Sequence, residues 1–175
     1  MARKIPDSVC LENRTKLCEL FKKVIPDSQR YTVVYGCGVD VGMMNYVVVR
    51  KTTYSYSNYA IGYDAVENEI VILPVDIDIE HYGTPYYLKK SEIRKAIQSW
   101  ISKEITIQDD RLPRKYIQFV VPECINEDED QITIPIKQEE EAKKFTEYFV
   151  QNYMEKQNEN ILQKIISLLT KSKRT

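Results

Sequence analysis

The sequence predicts an α+β fold in which antiparallel strands are capped by one amphipathic helix. Three runs alternate apolar and polar residues, and in a pleated strand this spacing places the apolar side chains on one face, which predicts an antiparallel sheet with one dry side. The runs are Ile105/Ile107, Ile117/Phe119/Val121 and Ile132/Ile134/Ile136. In residues 138–153 the apolar spacing changes to three and four, which is typical of a helix with one buried stripe.

The two predicted helices of the folded core each carry an apolar stripe. The stripe of residues 138–153 consists of Ala142, Phe145, Phe149 and Tyr153, and glutamates occupy the first turn, where they face the positive end of the helix dipole. Near the start of the chain, residues 8–24 predict another helix. Its stripe consists of Val9, Leu17, Leu20, Phe21 and Val24.

Strands are predicted between these helices, beginning with residues 31–35. Residues 36–42 hold three of the five glycines in the chain and are interpreted as a hairpin connection that needs positive φ. They do not match a phosphate loop, because residues 36–43 contain no lysine or arginine. Later, the apolar parity changes near residues 57–58, which predicts a bulge or turn. Residues 70–80 predict a further strand.

The end of that strand carries the one cluster with possible chemistry, Asp76, Asp78, Glu80 and His81. Alternate carboxylates on one strand face lie about 7 Å apart, so neighbouring pairs could share a divalent cation or act as acid and base. However, charged residues on the outward face of an edge strand also deter aggregation between sheet edges. A solvated face is therefore the preferred interpretation. The alternative is that these four residues form a metal site or a hydrolytic site.

Thirteen tyrosines are a high number for 175 residues. A half-buried sheet accepts aromatic rings well, so the rings could simply fill and rim the fold. The alternative is an aromatic surface that binds a ligand.

Several segments resemble the end of a bacterial pleckstrin-homology-like (PH-like or GRAM-like) domain. They are Ile105-Thr106-Ile107, residues 116–122, residues 139–149 and the stretch at residues 87–96. The resemblance implies a small bent barrel with its last helix plugging one end. It also implies that residues 91–100 form a strand, although their spacing alone predicts a helix, and that Trp100 lies in the core or at the barrel end. Lipid-binding members carry basic residues in their first hairpin loop, and residues 36–43 lack them.

The resemblance divides the chain into an N-terminal helix (1–28), a PH-like barrel with its capping helix (29–156) and a C-terminal amphipathic helix with a basic tail (157–175). The last helix has an apolar face that must be buried somewhere. The two helices outside the barrel could pack on each other and on the barrel wall, form a homo-oligomer interface, or dock on a partner or membrane surface. The face of the last helix consists of Ile161, Leu162, Ile165, Ile166 and Leu169.

Composition narrows the function classes. The start of the chain lacks an apolar signal segment, and no run approaches the roughly 18 apolar residues of a membrane span, so the cytoplasm is expected. The four cysteines are scattered and there is one histidine, which argues against zinc. No cofactor fingerprint occurs, and the basic residues form no patch suited to nucleic acid.

The first function hypothesis is therefore a non-enzymatic PH-like interaction module that binds an unknown protein or peptide, or its own copies. The second is a metal-dependent enzyme or small hydrolase that uses the cluster at residues 76–81. The third is peripheral binding to anionic membranes through Lys171, Lys173 and Arg174.

Overall fold

The computed structural model describes residues 3–45, 50–112, 114–128 and 132–154. Its two helices are α1 (Asp7–Val24) and α2 (Glu139–Tyr153). The longer strands are β2 (Thr32–Asn45), β3 (Arg50–Asp64), β4 (Glu69–Val75), β5 (Tyr86–Lys89), β6 (Lys95–Gln98), β7 (Ile105–Gln108) and β8 (Tyr116–Phe119). The short strands are β1 (Arg3–Lys4), β9 (Cys124–Ile125), β10 (Glu127–Asp128) and β11 (Ile136–Lys137).

The strands form antiparallel sheets, of which two build the body of the molecule. The larger sheet has the order β2-β3-β4-β5 and the smaller has the order β6-β7-β8. In the described part of the chain a backbone bridge joins them, where Cys37 and Val120 exchange two hydrogen bonds of 2.9 and 2.8 Å. Among the described residues the sheets do not close into a barrel. The predicted α+β class, with antiparallel sheets and a helix on either side of them in the sequence, is confirmed.

Strand β4 of the larger sheet is buried on both faces. Four consecutive residues of β4 show this directly, since Ile70, Val71, Ile72 and Leu73 are all fully buried. Ile70 and Ile72 belong to a core shared with the smaller sheet and α2, whereas Val71 and Leu73 belong to a second core beneath α1. Alternate residues of β4 therefore contact different layers, and an uninterrupted apolar run is what such a strand requires.

The same division separates the three alternating runs. Ile105, Ile107, Ile117 and Phe119 join the core under α2, in agreement with strands β7 and β8. Ile134 and Ile136 instead join the core under α1. The prediction of one sheet with a single dry face was therefore wrong for the third run, because the larger sheet lies between two cores.

Both core helices pack through their predicted stripes. In α2 the buried residues include all four members of the predicted stripe and Tyr148, with the ring of Phe145 centred 5.4 Å from that of Tyr63. In α1, Leu17 and Phe21 are buried, and Leu20 and Val24 pack partly against the same core. Val9 is 38% exposed and lies outside this contact. The α1 stripe is thus covered by the protein's own larger sheet.

The glycine-rich segment is not a hairpin loop. Residues 36–42 lie within β2, which pairs regularly with β3, and no glycine in the described ranges has positive φ. Gly38 has a different requirement, because a Cβ atom there would lie 2.3 Å from the carbonyl oxygen of Gln118 in β8. The glycine lets the two sheets approach each other closely at their junction.

Two further expectations concern strand continuity. The bulge expected near residues 57–58 is absent from the described β2/β3 pairing, which keeps one register from Thr32↔Tyr63 to Asn45↔Arg50. The strand implied for residues 91–100 is confirmed only for residues 95–98, which excludes the helix interpretation there, and residues 91–94 and 99–100 lie in turns and connections. Trp100 is not in the core: it is 83% exposed.

The proposed C-terminal helix with its face at Ile161, Leu162, Ile165, Ile166 and Leu169, together with the basic tail, lies outside the described residues. Within the described part of the chain, no helix has the length and apolar character needed to cross a bilayer.

Candidate functional site: a tyrosine-lined cleft

An open cleft of about 550 Å³ lies between the two sheets. Its walls come from β3, the end of β4 and the start of β5 on one side, and from β8 with the preceding turn on the other. The lining includes four tyrosines, Tyr56, Tyr59, Tyr86 and Tyr116. Both sheets therefore contribute aromatic rings to one space, in the size range of ordinary ligand pockets.

The tyrosines differ in how firmly the fold holds them. Tyr59 is packed edge-on against the core residue Phe119, with ring centroids 6.3 Å apart. Tyr56 and Tyr116 are 43% and 39% exposed, so much of each ring is available to a ligand. The cleft thus combines an anchored ring with two accessible ones.

The buried polar groups in the wall of the cleft form hydrogen bonds with one another. Asn58 is 8% exposed, and its side chain accepts a 2.5 Å hydrogen bond from the Tyr35 hydroxyl and donates to the Ile132 carbonyl at 3.3 Å. The Tyr35 hydroxyl also accepts a hydrogen bond from the Ile134 amide at 3.1 Å. Burial raises the pKa of Tyr35 far above its ordinary value, so the hydroxyl keeps its proton. These groups hold the wall in place.

The turn between β7 and β8 is fixed by ion pairs. Arg111 donates to both carboxylate oxygens of Asp109, at 2.8 and 2.5 Å, and to Glu92 at 2.5 Å. Asp109 is 2% exposed, and the hydrogen bond from Arg111 holds the pKa of its carboxyl below the ordinary value. The bidentate contact stabilises the turn that brings Leu112 and Tyr116 to the cleft.

The cluster predicted at residues 76–81 is a closed turn at the cleft, not a row of carboxylates on a strand. β4 ends at Val75, and Ile79 has a φ of 59°. Asp76 Oδ1 accepts hydrogen bonds from the amides of Glu80 and His81 at 2.8 and 3.0 Å, and Oδ2 lies 2.8 Å from His81 Nδ1. The strand prediction was wrong here because an aspartate side chain can bond to nearby backbone amides and stabilise a turn.

This turn uses the Asp76 carboxylate for its own hydrogen bonds. Asp76 lines the cleft, whereas Asp78, Glu80 and His81 do not. Across the described ranges, no group of three or more histidine, cysteine, aspartate or glutamate side chains is arranged to hold a metal ion. The four candidate residues are neighbours in one loop, but their geometry is that of a turn.

The pKa of His81 in this turn can be measured. The hydrogen bond and charge of Asp76 raise the pKa of His81 above its ordinary value of 6.5. The stabilisation of the folded turn by protonated His81 is therefore complete below pH 6.5 and is lost as the pH rises through the raised pKa. We expect Asp76→Asn to return the pKa towards 6.5. An NMR titration can follow this change without ambiguity, since the chain has one histidine; an unchanged pKa in the variant would contradict the pairing.

Cys37 lies next to the cleft residue Gly38, at the junction of the sheets. Burial raises the pKa of its thiol, which lowers the fraction of nucleophilic thiolate at neutral pH. We therefore interpret Cys37 as a packing residue of the sheet junction and not as a nucleophile.

Sequence reasoning found the abundance of tyrosines but not the cleft, because the lining residues come from distant segments. Comparisons with protein-family models, with curated protein sequences and with solved structures found no match to this chain. What the cleft binds must therefore be inferred from the residues that line it.

Proposed function

We propose that the protein is a non-enzymatic interaction module of PH-like architecture and that its tyrosine-lined cleft binds an extended segment of a partner protein. The observation that carries this proposal is the set of tyrosine rings that both sheets contribute to one open cleft. Tyrosine supplies a large contact area, loses little side-chain entropy on binding and retains a hydroxyl for hydrogen bonding. Such rings suit peptide side chains and backbone alike.

The charge of the cleft favours a peptide over a highly charged ligand. Of the described residues that line it, Asp76 and Arg114 carry formal charges, and these are opposite. A phosphorylated headgroup or a nucleic acid requires clustered cationic side chains. A neutral, aromatic cleft instead matches an extended segment with apolar side chains.

The strand arrangement suggests how such a segment binds. β4 pairs with β3 only from Asn58 onward, and at residues 50–57 the described pairing of β3 is with β2 alone. Tyr56 and Ser57 belong to this part of β3 and line the cleft. An extended peptide could therefore lie along β3 and add a strand while its side chains contact the rings.

The PH-like architecture is supported by the order of elements. A four-stranded antiparallel sheet is followed by a three-stranded one, and α2 contributes Phe145 and Phe149 to the core that both sheets share. The position of α2 after the strands, packed against both sheets, supports the proposal. The enzymatic alternative has less support, because the Asp76 carboxylate is engaged by its own turn.

The test is a pair of tyrosine substitutions with a matched control. Peptides would be selected from a random-sequence library on the full chain and measured as synthetic peptides by calorimetry. We expect Tyr56→Ala and Tyr116→Ala to weaken binding about tenfold or more, as for contact residues at the centre of an interface. Tyr87→Ala should leave binding unchanged, because Tyr87 is 39% exposed, the same as Tyr116, but lies outside the cleft.

Equal affinity of the selected peptides for the wild type and Tyr116→Ala would refute the cleft as their binding site. Failure to select any peptide would count against the peptide class. A rise in melting temperature with added Mg²⁺, Mn²⁺ or Ca²⁺ would instead support the metal alternative, because binding to the folded state must stabilise it.

A further inference from the structure

The turn between β6 and β7 presents two large apolar side chains to solvent. Trp100 and Ile101 are each 83% exposed, although tryptophan and isoleucine are usually among the more buried residues. They are adjacent and occupy the tip of the connection between Gln98 and Ile105. An exposed apolar pair of this size indicates a contact surface.

Hydrogen bonds give this turn a defined shape. The Ser99 amide donates to the Glu104 carbonyl at 2.8 Å, and the Ser102 amide donates to Ser99 Oγ at 3.2 Å. Lys103 adopts a left-handed conformation with a φ of 58°. The turn therefore holds Trp100 and Ile101 away from the sheet.

The shape of the tip limits what can cover it. A stable protein interface buries about 800 Å² on each partner, spread over 20 to 30 residues. Here the two apolar residues, each 83% exposed, lie in a turn between Ser99 on one side and Ser102 and Lys103 on the other, all of them polar. A lipid bilayer needs no such broad complementary surface, and tryptophan and lysine side chains both suit the boundary between its headgroups and acyl chains.

We propose that residues 99–104 form a shallow membrane anchor, in which Trp100 and Ile101 insert into the interface of a lipid bilayer. Within the turn, the charges of Lys103 and Glu104 are opposite, so the attraction comes from the apolar side chains. Binding should therefore persist on zwitterionic lipid and in salt. This distinguishes the anchor from an electrostatic contact through Lys171, Lys173 and Arg174. The anchor is independent of the proposed peptide cleft.

The protein contains its own reporter, because Trp100 is the single tryptophan in the chain. The full chain would be titrated with phosphatidylcholine vesicles, and with vesicles that also contain phosphatidylserine, while tryptophan emission is recorded. We expect a shift to shorter wavelength on both vesicle types and quenching by bromine atoms placed just below the headgroups. Without vesicles, emission should be at long wavelength and open to quenching by acrylamide.

Ile101→Ser tests the anchor while keeping the reporter. Loss of one buried isoleucine side chain should weaken partitioning about tenfold. The matched control is Val66→Ser, because Val66 is 85% exposed in the turn between β3 and β4 and should not touch the bilayer. A variant with Lys171, Lys173 and Arg174 changed to glutamine should still bind phosphatidylcholine vesicles.

Several results would overturn the proposal. Unchanged emission on both vesicle types would exclude insertion, and so would equal weakening by Ile101→Ser and Val66→Ser. Short-wavelength emission in the free protein at all concentrations would mean that another part of the chain covers Trp100. A shift that depends on protein concentration alone would assign the tip to a contact between copies.

Discussion

Gln138→Ala is expected to lower the free energy of unfolding by about 4 kcal/mol, because it leaves two buried backbone groups and one partly buried carbonyl without their partner, at about 1–3 kcal/mol for each buried group. Gln138 is 2% exposed. Its Oε1 accepts a hydrogen bond from the Tyr35 amide at 2.7 Å, while Nε2 donates to the carbonyls of Tyr35 and Pro122 at 2.9 and 2.8 Å. All three bonds depend on one side chain.

This side chain takes the place of a neighbouring strand. Cys37 pairs with Val120 of the smaller sheet through two backbone bonds, but two residues earlier in β2 the partner of Tyr35 is the amide of Gln138. An amide side chain carries the same donor and acceptor as a peptide group, so it can satisfy both backbone atoms of Tyr35. The residue also precedes α2, and thus connects the edge of β2 to the start of that helix.

Urea unfolding monitored by circular dichroism measures the effect. Gln118→Ala provides a control of the same residue type, since Gln118 is exposed and its side chain donates to Thr106 Oγ1 at 3.2 Å. The control should lose less than about 0.5 kcal/mol, as is usual for surface substitutions. Similar losses in the two variants would show that the bonds of Gln138 do not stabilise the fold as argued.

Gly38→Ala is the second substitution with a large expected effect, a loss of about 3 kcal/mol. The added methyl group would lie 2.3 Å from the carbonyl oxygen of Gln118, which belongs to the backbone of β8. A side chain could rotate away, but a backbone carbonyl can move only if the two sheets separate, and overpacking of this kind costs about 1–3 kcal/mol or more. The junction of the sheets should therefore weaken.

Two other glycines provide the comparison in thermal unfolding. In Gly83→Ala the nearest atom is Pro74 Cβ at 3.2 Å, a contact that a small shift relieves. In Gly36→Ala the nearest atom is Ile61 Cδ1 at 2.5 Å, at the end of a flexible side chain. We expect Gly38→Ala to have the lowest melting temperature of the three. A lower melting temperature for Gly83→Ala than for Gly38→Ala would contradict the argument that position 38 requires glycine because the Gln118 carbonyl lies so close.

Much of the fold could be predicted where one local pattern determines the structure. The stripe of α2 and the alternation in β7 and β8 are properties of short segments, and the structure confirms them. The run Ile70-Val71-Ile72-Leu73 also carried the signal for a strand buried on both faces. That signal was missed because alternation elsewhere suggested a single dry face.

The errors at Gly38 and at the cleft arose where a residue's role depends on a distant partner. Gly38 was interpreted as a turn glycine, but its reason is the carbonyl of Gln118. The cleft could not be predicted either, because its tyrosines meet only when the two sheets pack. Asp76 was assigned to a strand, although its side chain bonds to backbone amides of a turn. Trp100 was expected in the core or at the barrel end because the resemblance implies a strand through residue 100, whereas the strand ends at Gln98.

The position of β7 sets a fixed spacing across the molecule. The turn that carries Trp100 lies at one end of this strand, and the turn that supplies Leu112 to the cleft lies at the other. Four residues of extended strand span about 14 Å. A partner in the cleft would therefore be held at a set height above a surface that receives Trp100, and one rigid strand would determine that height.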